Sequence, residues 1–237
     1  MSIGFQVRQR ARIVAAPLVE AFARLPVATI SDSMNRITAG GPRLRPYHLG
    51  GRICGAALTV RTRPGDNLIA HMAMSMAQPG DVIVVDAGGE LTNSIIGERM
   101  IVKAQRRGLG GWVVNGAIRD VAWVAANSFP VFAAGVTHRG PYKNGPGEVN
   151  VPIAIDGMVM EPGDLIVGDQ DGIVCVPFDA LEAVLARAQA KFNHELSTFD
   201  EIGLDDQSKE RSRLERELKL LGCAFSPGWE HGLSGQP

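Results

Sequence analysis

Apolar residues in this chain come in short, dense runs cut off by glycine, proline or aspartate. Val82-Ile83-Val84-Val85, Trp112-Val113-Val114 and Val131-Phe132-Ala133-Ala134 read as strands covered on both faces, because no polar residue alternates within them. Between the first two, Ile96, Met100, Ile101 and Ala104 recur at helical spacing and Gly108 supplies a stop, which predicts a helix over 93–108. Residues 121–128 read as a shorter helix, with Asp120 placed to cap it. The resulting order, β–α–β–α–β over 81–135, predicts parallel pairing.

A second pattern is a repeated Pro-Gly-Asp. "RPGDN", "QPGDVIVVDAGG" and "EPGDLIVGDQDGIVCV" each place Pro-Gly where a type II turn needs a preset φ and then a positive one. The first copy leads into the helical "NLIAHMAMSMA"; the others lead into the strands "VIVVDA" and "LIVGD". With the β-rich segment 50–62 and no helices between these pieces, further antiparallel sheet is expected. Leu18, Phe22 and Leu25 mark a helix over 15–26, and a second short helix follows with Thr29 or Ser31 as its N-cap. "THRGPYKNGPGEVNVPI" is a basic, glycine-rich loop running into a strand. At the far end Leu181, Val184, Leu185 and Ala188 define one helix. Leu214, Leu218 and Leu221 form a thin stripe on another, of the kind that docks on a neighbour, and a loosely ordered tail is expected after it.

Composition narrows the function. The 237 residues hold 24 basic and 25 acidic side chains, a net charge of −1, so there is no basic footprint for nucleic acid or an anionic membrane. No apolar run reaches the roughly 18 residues that span a bilayer, and the basic N-terminus lacks a continuous apolar core. A cytoplasmic location is expected by elimination. Cys54, Cys175 and Cys223 are odd in number, far apart and set in apolar stretches, which reads as buried reduced thiols and not as a disulfide or zinc framework.

Most familiar chemistries lack their residues. There is no G-x-G-x-x-G opening a helix, no P-loop lysine, no G-x-S-x-G elbow and no H-E-x-x-H among the five histidines. His71 reads as an ordinary helical histidine; His138, Arg139 and Lys143 form a basic loop that would meet an anion or simply solvent. What remains is "GGWVVNGAIRD", a strand that ends on Arg119 and Asp120. In parallel β–α–β units, ligands sit beyond the carboxyl ends of strands. Gly88-Gly89 and Gly97-Glu98 converge there, a helix N-terminus favours a carboxylate, arginine forks onto one, and aspartate is a hard ligand for Mg²⁺. The plain alternative is a capped helix with a surface ion pair.

These motifs carry a resemblance. "QPGDVIVVDAGGE", "GERMIVKAQRRGLGGWVVNGAIRD", "FPVFAAG" and "EPGDLIVGDQDGIVCVP", in this order, resemble the RraA-like family, which includes the 4-hydroxy-4-methyl-2-oxoglutarate / 4-carboxy-4-hydroxy-2-oxoadipate aldolases. The likeness runs from about residue 15 to 200, and implies an RraA-like domain over 1–200 with a C-terminal helix and tail over 201–237. It implies an α/β fold, a layered β/β/α sandwich with mixed sheets, assembled as a homotrimer or homohexamer. The family aldolases carry an aspartate, twenty intervening residues and then Arg-Asp; here Glu98 stands at that first position before Arg119-Asp120. By resemblance Asp120 binds Mg²⁺ or Mn²⁺ and Arg119 the substrate keto oxygen. The turn Gly97, Glu98, Arg99 and Met100 then takes the substrate carboxylate on backbone N–H groups. Glu195 is the candidate for a glutamate supplied to the metal by a neighbouring subunit.

The activity implied is a Schiff-base-independent lyase that splits a 4-hydroxy-2-keto dicarboxylic acid to pyruvate, with Glu98 as proton acceptor and oxaloacetate decarboxylation within reach of the same enolate chemistry. The alternative on the same scaffold is a protein-binding regulator of ribonuclease activity.

Overall fold

The computed structural model describes residues 2–37, 40, 42–199 and 207–226. These form two units, 1–192 and 193–237. The first is built on strands β1 (Gln6–Val7), β2 (Arg45–Pro46), β3 (Ile53–Thr62), β4 (Val82–Asp86), β5 (Ser94–Ile96), β6 (Gly111–Ile118), β7 (Val131–Val136), β8 (Gly147–Val149), β9 (Ile153–Ile155), β10 (Met158–Met160), β11 (Leu165–Asp169) and β12 (Gly172–Val176). Its helices are α1 (Ala16–Phe22), α2 (Val27–Ser33), α3 (Leu68–Met76), α4 (Glu98–Arg106) and α5 (Val121–Ala125). Helix α6 (Leu181–Thr198) runs on past the end of the unit, and α7 (Gln207–Leu220) lies in the second one.

The dense apolar runs are the interior of one mixed sheet. β4, β6 and β7 pair in parallel, as the β–α–β–α–β order predicts. β3 joins the two halves. Its residues 53–56 pair antiparallel with β11, and 57–61 pair parallel with β4. Period-two alternation assigns each strand residue to a layer. Ile83, Val85, Trp112 and Val114 pack under α3, α4 and α5 with Ile69, Met74 and Ile101. Val82, Val84, Val113 and Phe132 face the other way, onto Ile153, Met158, Met160 and Ile166, which is sheet against sheet. A third cluster sets α1, α2 and the start of α6 (Phe22, Ile30, Leu181, Val184) on Leu165, Val167, Val174 and Val176. The layered mixed α/β architecture is the expected one.

The three Pro-Gly-Asp turns behave alike. Gly65, Gly80 and Gly163 all take positive φ (74°, 85° and 95°), and Asp66, Asp81 and Asp164 are buried. In the second and third copies the carboxylate accepts the N–H of the residue before the proline, Gln78 or Glu161, at 2.8 Å. In the first copy it accepts Leu68, Asn144 and Gly145 N–H groups. The aspartate thus satisfies turn donors that burial would orphan.

Three expectations are corrected. The segment 93–108 is not one helix: Ser94–Ile96 is strand β5, parallel to the end of β6, and α4 begins only at Glu98. Neither Thr29 nor Ser31 caps α2, because the helix has already started at Val27, whose N–H donates to the Asp169 carboxylate at 2.9 Å. Cys223 is exposed, while Cys175 is buried and Cys54 half-buried. Leu214 and Leu218 on α7 and Leu221 just after it are exposed, 43%, 42% and 80% respectively. The tail beyond residue 226 lies outside the described residues.

One buried group makes stability depend on acid. His48 Nδ1 lies 3.1 Å from the Val131 N–H and 3.2 Å from the Val131 carbonyl, and Nε2 is buried without a partner among the described residues. Burial holds this imidazole below its ordinary value of 6.5. A depressed folded value means that the unfolded chain takes up the proton first. The contribution is therefore complete above pH 6.5 and declines as pH falls below it, by at most about 1.4 kcal/mol per pH unit. The urea midpoint should drop between pH 7.5 and 5 by more in the wild type than in His48→Asn. Equal drops would remove His48 from the account.

Candidate active site

The end of β6 and the start of α4 meet at one point. Arg119 N–H donates to the Ile96 carbonyl at 3.1 Å, extending the β5–β6 pairing to the residue before the turn. Asp120 then bends the chain at φ 59°, a left-handed conformation that aspartate tolerates better than most side chains. It precedes α5, as expected, but its side chain does not cap that helix. Asp120 Oδ2 instead accepts the Glu98 N–H at 2.9 Å and so caps α4. Arg119 Nε lies 3.7 Å from the same oxygen. The strand tip and the helix start are one hydrogen-bonded unit.

Gly97 makes that closeness feasible. A Cβ there would collide with the Asp120 carboxylate and lie 2.8 Å from Arg119 Cγ. Gly97 φ is −153°, ordinary extended backbone, so space and not conformation excludes a side chain. The 137–143 loop covers Arg119 from outside. Ser94 N–H and Oγ both donate to the Arg139 carbonyl at 2.9 Å, and Asn93 Nδ2 donates to the Gly140 carbonyl at 2.6 Å. A Cβ on Gly140 would stand 3.1 Å from Arg119 Nη1.

Beside this unit opens a cavity of about 360 Å³, lined among others by Asn67, His71, Arg99, Lys103, Arg119 and Lys143. Of the residues singled out from sequence, Gly97, Arg99, Met100 and Arg119 line it. Glu98 and Asp120 do not, and adjoin it through Gly97 and Arg119. Glu98 is exposed, as is Glu195, which lies on α6 in the C-terminal unit. Of the basic loop, Lys143 reaches the cavity, whereas His138 and Arg139 are not among its lining; Gly88 and Gly89 are not either. Asn67 and Lys103 went unnoticed in the sequence, and His71 reads there as an ordinary histidine. His71 is held below its usual value by burial first and then by Lys143 and Lys103. Asn67 is buried, donates to the Ile95 carbonyl at 2.9 Å and leaves its Oδ1 without a partner.

The donor set fits some chemistries and not others. Burial pushes the Cys54 thiol up to about 12 and raises Cys175 as well, so neither is a thiolate nucleophile at neutral pH. Among the described residues no three His, Cys, Asp or Glu side chains are grouped to cage a metal. Asp120 does offer a carboxylate oxygen not engaged by Glu98, which suits a hard ion that keeps water and substrate in its sphere.

A family model described as "RraA-like: Aldolase/RraA" matches residues 27–175. A protein of Halalkalibacterium halodurans, provisionally named a 4-hydroxy-4-methyl-2-oxoglutarate aldolase, is 39% identical over 81% of this chain and 86% of its own length. A solved structure of an uncharacterized protein from Pseudomonas syringae pv. tomato superposes with TM-score 0.73 at 27% identity, covering 84% of this chain and 98% of the other. Streptomyces coelicolor RraAS2, described as an unusual member of the RNase ES inhibitor RraA protein family, gives TM-score 0.69 at 27% identity over 81% and 98%. The chain belongs to the RraA-like family. No helix among the described residues is long and apolar enough to cross a membrane.

Proposed function

We propose that this protein is a divalent-metal-dependent lyase that cleaves a C–C bond of a 4-hydroxy-2-keto dicarboxylic acid to release pyruvate. The observation that carries the reading is the Asp120–Glu98 hydrogen bond, which locks an arginine, a carboxylate and the start of α4 together beside a cationic cavity. The aldolase name of the Halalkalibacterium halodurans relative supports it.

In this reading the substrate C1 carboxylate lies at the turn Gly97–Met100, where the Glu98 N–H donates to Asp120 and the Met100 N–H to the Gly97 carbonyl at 3.0 Å, which leaves the Arg99 N–H to receive it. Asp120, with Glu195 of a neighbouring subunit in a homotrimer or homohexamer, would hold Mg²⁺ or Mn²⁺. When bound, the ion supplies Lewis acidity at the keto oxygen. Arg119 points its guanidinium at that oxygen, where negative charge grows as the C3–C4 bond breaks and an enolate forms. Glu98 takes the proton of the 4-hydroxyl, directly or through water, as that oxygen becomes a carbonyl, and the same proton then returns to C3 of the enolate to give pyruvate. The Ser94 and Asn93 bonds to the 137–143 loop hold its backbone against Arg119. Loss of CO₂ from oxaloacetate needs the same arginine and no base.

The test is pyruvate release from 4-hydroxy-4-methyl-2-oxoglutarate and from oxaloacetate, with Mg²⁺ or Mn²⁺, with EDTA, and with Arg119→Ala. Release that EDTA abolishes and Arg119→Ala lowers by roughly 100-fold or more is expected. Release no faster than the metal alone on either substrate would instead favour the second reading, a regulator of ribonuclease activity, which rests on the likeness to RraAS2.

A further inference from the structure

The three Pro-Gly-Asp turns share a backbone conformation, yet the first is wired differently. In the second and third copies the aspartate closes its own turn, accepting the N–H of Gln78 or Glu161 just before the proline. In the first copy that position is Arg63, and its N–H donates instead to the Pro146 carbonyl at 3.3 Å. The Asp66 carboxylate reaches 78 and 79 residues along the chain. Its Oδ2 accepts the N–H groups of Asn144 and Gly145 at 2.7 and 2.9 Å, and its Oδ1 that of Leu68 at 2.9 Å. The Arg63 guanidinium adds a contact at 3.3 Å, and Asp66 itself is fully buried.

Two walls of one cavity hang on this carboxylate. Lys143, which lines the cavity, is bracketed by bonds to residues 65–67. On one side the Tyr142 N–H donates to the Gly65 carbonyl at 2.8 Å and the Asn67 N–H to the Tyr142 carbonyl at 3.0 Å; on the other stand the two bonds to Asp66. Asn67 and His71, one turn apart at the start of α3, line the same cavity. The earlier part of the loop, 137–140, is tied to residues 92–94. Arg119 and Asp120 are held through Ile96 and Glu98.

We infer that Asp66 is a positioning residue: its buried carboxylate fixes the segment carrying Lys143 against the start of α3 and so sets the width of the cavity between them. A carboxylate suits the task because it only accepts, and every partner here is a donor. An amide in its place would turn an NH₂ group toward either Leu68 or the Asn144–Gly145 pair. The consequence for turnover rests on the lyase reading. Substrate would meet a looser wall while Arg119 and Asp120 stay in place, so binding suffers more than the chemical step.

The experiment compares Asp66→Asn with Asp164→Asn in the full chain. The second is the same change in a likewise buried turn, whose partners Glu161 and Phe178 do not line the cavity. Both variants should lower the melting temperature. Only Asp66→Asn should make the His71 imidazole, followed by NMR, titrate at higher pH, because burial first and then Lys143 hold it below 6.5 in the wild type. Only Asp66→Asn should raise KM for oxaloacetate with Mg²⁺, by roughly tenfold, with kcat within a few-fold. A folded Asp66→Asn that keeps the wild-type His71 midpoint or the wild-type KM would overturn the role, as would an Asp164→Asn that shifts both equally. If Asp66→Asn does not fold, amide exchange in the wild type decides. Asn144 and Gly145 should be as protected as Leu68, which shares their carboxylate; fast exchange of the two beside a slow Leu68 would overturn the role. A wild type that releases no pyruvate sinks the lyase reading and leaves His71 and the amides to judge Asp66. Pyruvate release with an unmoved His71 in the variant sinks Asp66 alone.

Discussion

Asp120→Asn should lower metal-dependent pyruvate release by roughly 100-fold or more while the protein stays folded. Asparagine tolerates the left-handed conformation at φ 59°. Its amide oxygen can still accept the Glu98 N–H now received by Oδ2. What it loses is the negative charge that would hold a divalent ion. Asp120→Ala removes two things more. The start of α4 loses its side-chain acceptor, worth about 0.5–2 kcal/mol, and alanine at positive φ adds about 1 kcal/mol of strain. The two variants therefore divide the residue's duties, with activity lost in both and the urea midpoint lowered mainly in alanine. If Asp120→Asn keeps near-native turnover, Asp120 is only a cap. If it unfolds as readily as alanine does, the charge is structural and the metal assignment fails.

Gly97→Ala should be as damaging with the smallest possible change. The new methyl group would meet the Asp120 carboxylate and Arg119 Cγ, the latter at 2.8 Å. Since Asp120 and Glu98 are hydrogen-bonded through this point, the strand tip must move away from the helix start. Displacement of reacting groups by about 1 Å can cost about 100-fold, and overpacking a tight site costs about 1–3 kcal/mol. A steady-state assay with a melting curve reads both. A kcat within a few-fold of wild type would show that the spacing of Arg119 from the α4 turn is not critical.

Much of this arrangement could be read in the chain. The runs that became β4, β6 and β7 were plain because parallel strands covered on both sides must be apolar throughout. The Pro-Gly-Asp turns were plain because few other residues adopt that backbone so cheaply. Arg119 and Asp120 stood out as opposite charges closing an apolar strand. The rest depends on contacts too distant to appear as periodicity. Ser94-Ile95-Ile96 fits a helix as well as a strand, and only pairing with Ala117 and Ile118 decides it. The acceptor at the start of α2 comes from Asp169, 142 residues away. His71 and Lys103 look unremarkable singly, and Lys143 shows only as part of a basic loop; they become a site only when α3, α4 and that loop converge on one cavity.

The sheet path ends at β1 on one side and β2 on the other. Each of these strands is two residues long, and β2 is an arginine followed by a proline. Proline has no N–H to offer, and an arginine side chain is poorly suited to lying against a second sheet. At these two ends there is little backbone for a strand of another molecule to copy. Copies of this chain therefore gain little by joining their sheets end to end here. Strand-templated aggregation finds little foothold at either end of the path.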